Sequence, residues 1–188
     1  MLQVLKLRKA LILPLVGLLA LALCLFALLP QKPPTVEEAK AFLDADRDDI
    51  DTVADYLLSL ETDHAVISKQ LDSDPGKVFY DFELHDIASK DVKDSVRRLW
   101  RAGCTIMEKD EASNTVSFMT WSRSAGQADV TLAFTIDGQG EPKTEFQISH
   151  EAMGDGWFYC YDDYEEYRSH PSSYAQFQPK DVAESALA

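Results

Sequence analysis

Asp44-Ala45-Asp46-Arg47-Asp48 has the D-x-D-x-D spacing of a calcium-binding loop, and Asp55 stands where such a loop places its bidentate acid. The loop also needs glycine at its sixth position and an apolar residue at its eighth. Here these are Asp49 and Asp51. The same residues lie in a helical repeat that would spread the carboxylates around a solvated surface, so no metal is expected. Lys93, Arg97 and Arg101 recur at i, i+4 and i+8, with Arg98 beside them. That is one basic helix face, suited to an anion or an acidic ligand. The plainer expectation is pairing with the chain's own carboxylates, among them Asp162, Asp163, Glu165 and Glu166.

Acid–base chemistry would have to come from isolated groups. His64, His85, His150 and His170 show no metal-ligand spacing. Asp81, His85 and His150 are the candidates for a hydrolase or isomerase pocket, if the fold brings them together. There is no Gly-x-Ser-x-Gly elbow and no phosphate-binding glycine loop, so no cofactor is implied. Gly156-Trp157-Phe158-Tyr159-Cys160-Tyr161 is the densest aromatic stretch. Alternate residues of a strand point to opposite faces, so one set belongs in a core and the other is free to serve as contact anchors. On that basis Trp157, Tyr159 and Tyr161, together with Arg97 and Arg101, are the candidate ligand- or partner-binding residues. Cys104 and Cys160 could form a disulfide outside the cytoplasm, but buried free thiols are the expected state.

Ala10 to Leu29 is an uninterrupted apolar run behind Lys6, Arg8 and Lys9. Its length matches a bilayer core, and its leading positive charge would stay on the cytoplasmic side. Residues 1–30 therefore read as a transmembrane anchor, with a cleaved signal as the alternative. Cys24 follows Leu23 rather than a small residue, which argues against a lipoprotein signal. Residues 31–35 read as a linker, 36–170 as one extracytoplasmic domain and 171–188 as a loose tail. All 32 acidic residues follow residue 30, whereas three of the 18 basic ones precede it, leaving a formal charge of −17 on the outer part. That field excludes nucleic acid and anionic lipid surfaces as partners.

The elements that must position these residues follow from periodicity. Thr35 caps an amphipathic helix over about 36–60. Strands are expected at 64–71 and 77–84 around the turn Asp74-Pro75-Gly76, then a helix at 92–102 stopped by Gly103. Strands follow at 105–109, 115–123, 129–137, 144–150 and 157–161, and then a helical turn or two to Arg168. The expected class is α+β, with an N-terminal transmembrane helix and a curved antiparallel sheet of five to seven strands on two main helices.

This order, over about residues 36–161, resembles the cone-shaped sheet of the NTF2-like (cystatin-like) superfamily. That fold serves enzymes, binding modules and assembly domains alike, so the resemblance implies no single activity. Arg98-Leu99-Trp100-Arg101-Ala102-Gly103-Cys104, Phe134-Thr135-Ile136-Asp137-Gly138-Gln139-Gly140 and Tyr161-Asp162-Asp163-Tyr164-Glu165-Glu166-Tyr167 are similar to small membrane-anchored or secreted proteins of Gram-positive bacteria. That likeness implies an envelope setting. The leading functional expectation is a membrane-tethered binding module for a protein or envelope component. A small hydrolase or isomerase and a structural subunit of a membrane complex are the alternatives.

Overall fold

A computed structural model describes residues 32–123, 127–144 and 146–177. Helix α1 (Val36–Ala45) opens with a capping box. The Glu38 N–H donates to Thr35 Oγ1, and the Glu38 carboxylate accepts from the Thr35 N–H at 2.8 Å. The expected single helix to residue 60 is broken at Asp46, and α2 (Arg47–Leu58) begins on its far side. The reason lies in the stripe. Ala39, Leu43, Ile50, Val53, Ala54 and Leu57 are buried, but the inward position between Leu43 and Ile50 falls on Asp46 and Arg47. A straight helix would press those charges into the core. The break turns them out.

Strands β1 (His64–Ser68), β2 (Lys77–Tyr80) and β3 (Glu83–Asp86) precede α3 (Lys90–Ala102). Ser89 caps α3, two residues before the expected Asp91 cap, and Gly103 ends it at φ 111°. Five strands follow: β4 (Ile106–Asp110), β5 (Thr115–Arg123), β6 (Ala128–Thr135), β7 (Gln147–Gly154) and β8 (Trp157–Asp163). Short helices α4 (Tyr164–Ser169) and α5 (Pro171–Tyr174) and a 3-10 turn (Ala175–Phe177) complete the described chain, so the expected loose tail begins with ordered turns.

All eight strands join one antiparallel sheet in the order β3-β2-β1-β4-β5-β6-β8-β7. The expected class needs two corrections. The sheet has eight strands rather than five to seven, because the expected strand 77–84 doubles back at Asp81-Phe82 to make two. No helix among the described residues is long and apolar enough to cross a membrane. The transmembrane helix expected at residues 10–29 lies outside the described residues.

The inner sheet face buries Ile67, Val78, Met107, Phe118, Val130 and Leu132 against α1–α3, all six fully excluded from solvent. This burial is the main stabilising term of the fold. The outer face is covered where β6, β8 and β7 meet. Thr131, Ala133, Cys160 and Gln147 are buried there, and Phe177 packs edge-on against His150 at 5.3 Å between ring centroids.

Candidate functional site: an acid-rimmed aromatic groove

An open groove of about 540 Å³ lies beside α2. Its α2 wall is Asp51, Ala54, Asp55 and Leu58, spaced i, i+3, i+4 and i+7 and so aligned along one helix face. Its floor comes from the end of β6 and the start of β8, where the Phe134 and Trp157 rings meet edge-on at 4.8 Å. Asp155 and Gly156 form the third side. These two residues are the whole turn between β7 and β8, since Gly154 pairs with Trp157. Their φ angles of 53° and 78° satisfy a type I′ hairpin, for which Asp-Gly is the preferred pair.

The electrostatics are one-sided. Arg47, released outward by the break at Asp46, sits with its guanidinium carbon 5.7 Å from the Trp157 ring centre and its Nη2 3.7 Å from Asp155 Oδ2. Asp51 and Asp55 have no basic partner among the described residues. Aromatic faces and carboxylates both attract cations, and Arg47 already exploits both at the groove's edge.

The aromatic strand follows the core-packing reading of its aromatics rather than that of a free contact face. Trp157 is 5 % exposed and packs on Phe118 and Phe134, and Tyr159 is 9 % exposed with its hydroxyl donating to the Pro34 carbonyl at 2.9 Å. Tyr161 is half-buried and donates to Asp163. Of the three, only Trp157 reaches the groove, as part of its floor.

The basic face of α3 is tied to the protein's own acids, but not to the expected ones. Arg97 pairs with Asp94 on the same helix, and Arg98 Nε donates to Asp49 of α2 at 2.7 Å. The Arg98 hydrogen bond holds the Asp49 carboxyl below its usual range, against the opposing effect of burial. Ser95 Oγ donates to the same carboxylate at 2.9 Å. The pairing of α2 with α3, rather than Asp162, Asp163, Glu165 or Glu166, uses these charges. Arg101 is exposed and forms no ion pair among the described residues.

Asp81, His85 and His150 do not meet. Asp81 is in the turn before β3 and His85 is in β3, at one edge of the sheet; His150 is in β7, at the other. His85 stacks on Tyr80 at 3.8 Å. His150 Nδ1 accepts from Gln147 Nε2 at 3.0 Å, and His150 Nε2 lies 3.1 Å from Glu141. Cys104 and Cys160 are both free and buried, so the disulfide alternative is not realised. Cys104, between α3 and β4, belongs to the hydrophobic cluster under the helices, whereas Cys160 of β8 stands between Thr131 and His150 outside it, and burial pushes both thiols above their ordinary range.

One pair escaped sequence reasoning. Asp129 of β6 and Asp162 of β8 stand directly opposite each other on the outer face. Burial pushes the Asp162 carboxyl up to about 7; a 2.6 Å hydrogen bond from Thr144 opposes this and the Asp129 charge adds to it. Burial likewise raises Asp129. Only the strand order, which sets β8 beside β6, makes these two neighbours.

The fold and groove thus define an α+β domain with an eight-stranded antiparallel sheet and an acid-rimmed aromatic cleft. The chain matches no protein-family model, and neither a curated protein nor a solved structure matches it.

Proposed function

We propose that this chain is a binding module presented outside the cytoplasm, and that its groove takes a positively charged group of a protein or envelope component. One observation carries the reading. Asp51 and Asp55 are left without basic partners beside the Phe134–Trp157 floor. A desolvated cation over an aromatic ring gains about 2 kcal/mol, and paired carboxylates add to it. The formal charge of −17 supports fast capture of cationic partners at low ionic strength. The apolar run 10–29 behind Lys6, Arg8 and Lys9 supports delivery across a membrane. The three groups weighed for a hydrolase or isomerase lie apart, Asp81 and His85 at one sheet edge and His150 at the other, which favours the binding reading.

Calorimetric titration with spermidine, and with its uncharged triol analogue as control, tests the groove. Binding of spermidine alone, weakened at least tenfold in Asp51→Asn with Asp55→Asn, is the expected result. No heat with spermidine, or equal binding in the double variant, overturns the reading. Protease accessibility of the domain on intact cells tests the location.

A further inference from the structure

The β2–β3 hairpin, at the sheet edge opposite the groove's hairpin, carries a second surface independent of the groove. Asp81 and Phe82 make its two-residue turn with φ of 49° and 64°. Positive φ at both positions favours Asn, Asp and Gly, and a phenylalanine there is strained by about 1 kcal/mol or more. Its side chain recovers none of that by burial, because Phe82 is 95 % exposed. Leu84, two residues on, is 46 % exposed.

The backbone beside Phe82 is also unused. Tyr80 and Glu83 flank the turn, and Gly76 O accepts from the Ile87 N–H at 2.8 Å. In an antiparallel ladder the bonded pairs alternate, so Glu83, His85 and Ile87 bond inward. Leu84 and Asp86 therefore turn their N–H and C=O groups away from β2, at the end of the sheet. No hydrogen bond among the described residues uses those two N–H groups.

Natural edges are commonly guarded by lysine or proline. This one is lined instead by carboxylates: Asp81, Glu83 and Asp86 on the hairpin, with Glu61 and Asp63 beside Phe82 in a shallow cavity of about 470 Å³. Of these, Asp86 is paired, with Lys77 at 3.0 Å. Two copies of such an edge would set like charges against each other, which disfavours self-pairing. A basic strand meets no such repulsion.

We infer that the β3 edge is a docking site for an extended, lysine- or arginine-rich segment of a partner protein. The segment adds a ninth strand along Leu84 and Asp86, packs an apolar side chain on Phe82, and sets its basic side chains against Asp81, Glu83, Glu61 and Asp63.

The test is fluorescence anisotropy of the full chain with a labelled eight-residue peptide alternating lysine and valine, and with a glutamate–valine peptide as control. Phe82→Gly removes the anchor while giving the turn its preferred Asp-Gly pair, so the fold survives. The lysine peptide is expected to bind, to lose at least tenfold in affinity on Phe82→Gly and on Glu83→Lys, and to be unaffected by Asp51→Asn with Asp55→Asn. Equal binding of both peptides, full binding by Phe82→Gly, or no binding by the parent chain overturns the inference. Loss in the Asp51/Asp55 variant instead places the peptide in the groove and also overturns it. Sedimentation showing a dimer that Phe82→Gly abolishes would identify a second copy as the occupant.

Discussion

The β7–β8 and β2–β3 hairpins close with the same positive-φ backbone and opposite chemistry. Asp155-Gly156 gives the turn a glycine and feeds straight into Trp157, which is buried at once. Asp81-Phe82 forces a phenyl-bearing residue into the left-handed region and leaves the ring in water. Each hairpin stands beside carboxylates and aromatic rings. Yet one turn is what folding energetics would choose, and the other is what they would reject. An unfavourable residue held in the open is what the inferred docking contact at the β3 edge would explain.

If that contrast is right, substitutions at the two hairpins should differ in size and in sign. Trp157→Ala should be the most damaging, costing about 3–5 kcal/mol by urea denaturation, since it empties the contact with Phe118 and Phe134. A cost under about 1 kcal/mol would remove β8 from the core. This also makes Trp157→Ala a poor probe of binding, for which Asp51→Asn and Asp55→Asn are suited.

Asp162, further along β8, should make stability depend on pH. Its folded value of about 7 lies above the ordinary carboxyl value near 4. The unfolded chain therefore ionises first, and stability falls as pH rises from about 4 to 7 and is level above. Between pH 5 and pH 8 the loss should be about 2–3 kcal/mol. The lowered carboxyls Asp49, Asp86 and Asp94 act below this window, because their stabilisation is lost only as pH falls through their folded values. Urea midpoints at the two pH values should differ in the parent chain and differ less in Asp162→Asn, where the raised carboxyl of Asp129 still contributes a slope of the same sign. An unchanged difference in that variant would assign the slope elsewhere.

The turns themselves give the smaller effects. Gly156→Ala should cost about 1–2 kcal/mol, because its φ of 78° strains any side chain even though the space beside it is open. Phe82→Gly should be neutral or stabilising by up to about 1 kcal/mol. Thermal unfolding of the two variants side by side reads both signs. Destabilisation by Phe82→Gly would mean that the ring supports the fold and would erase the contrast.

Much of the local structure is legible in the residues. Thr35 with Glu38 marks the start of α1, Gly103 marks the end of α3, and the alternation over Val130, Leu132 and Phe134 marks β6. The β2–β3 turn is not legible, since Phe82 carries no turn signal and the strand pattern runs through it. The helix break at Asp46 is half-legible: two polar residues interrupt the inward stripe, but periodicity alone does not say whether a helix bends or buries them. The groove is not legible either. Asp51 and Asp55 look like any solvated helix face until α2 lies beside the β7–β8 turn.

The sequence by itself determined what depends on neighbours within a turn or two: caps, alternation, most turns, and the one-sided charge beyond residue 30. It also favoured buried free thiols at Cys104 and Cys160 over a disulfide, the state the fold adopts. Tertiary structure alone decided that Arg98 pairs with Asp49, that Trp157 forms a floor rather than a contact face, that Asp129 faces Asp162, and that His85 and His150 sit at opposite edges. The physical reason is strand order. A strand's own residues set which side chains share a face, but pairing β8 rather than β7 with β6, and covering both sheet faces, depends on contacts far apart in the chain.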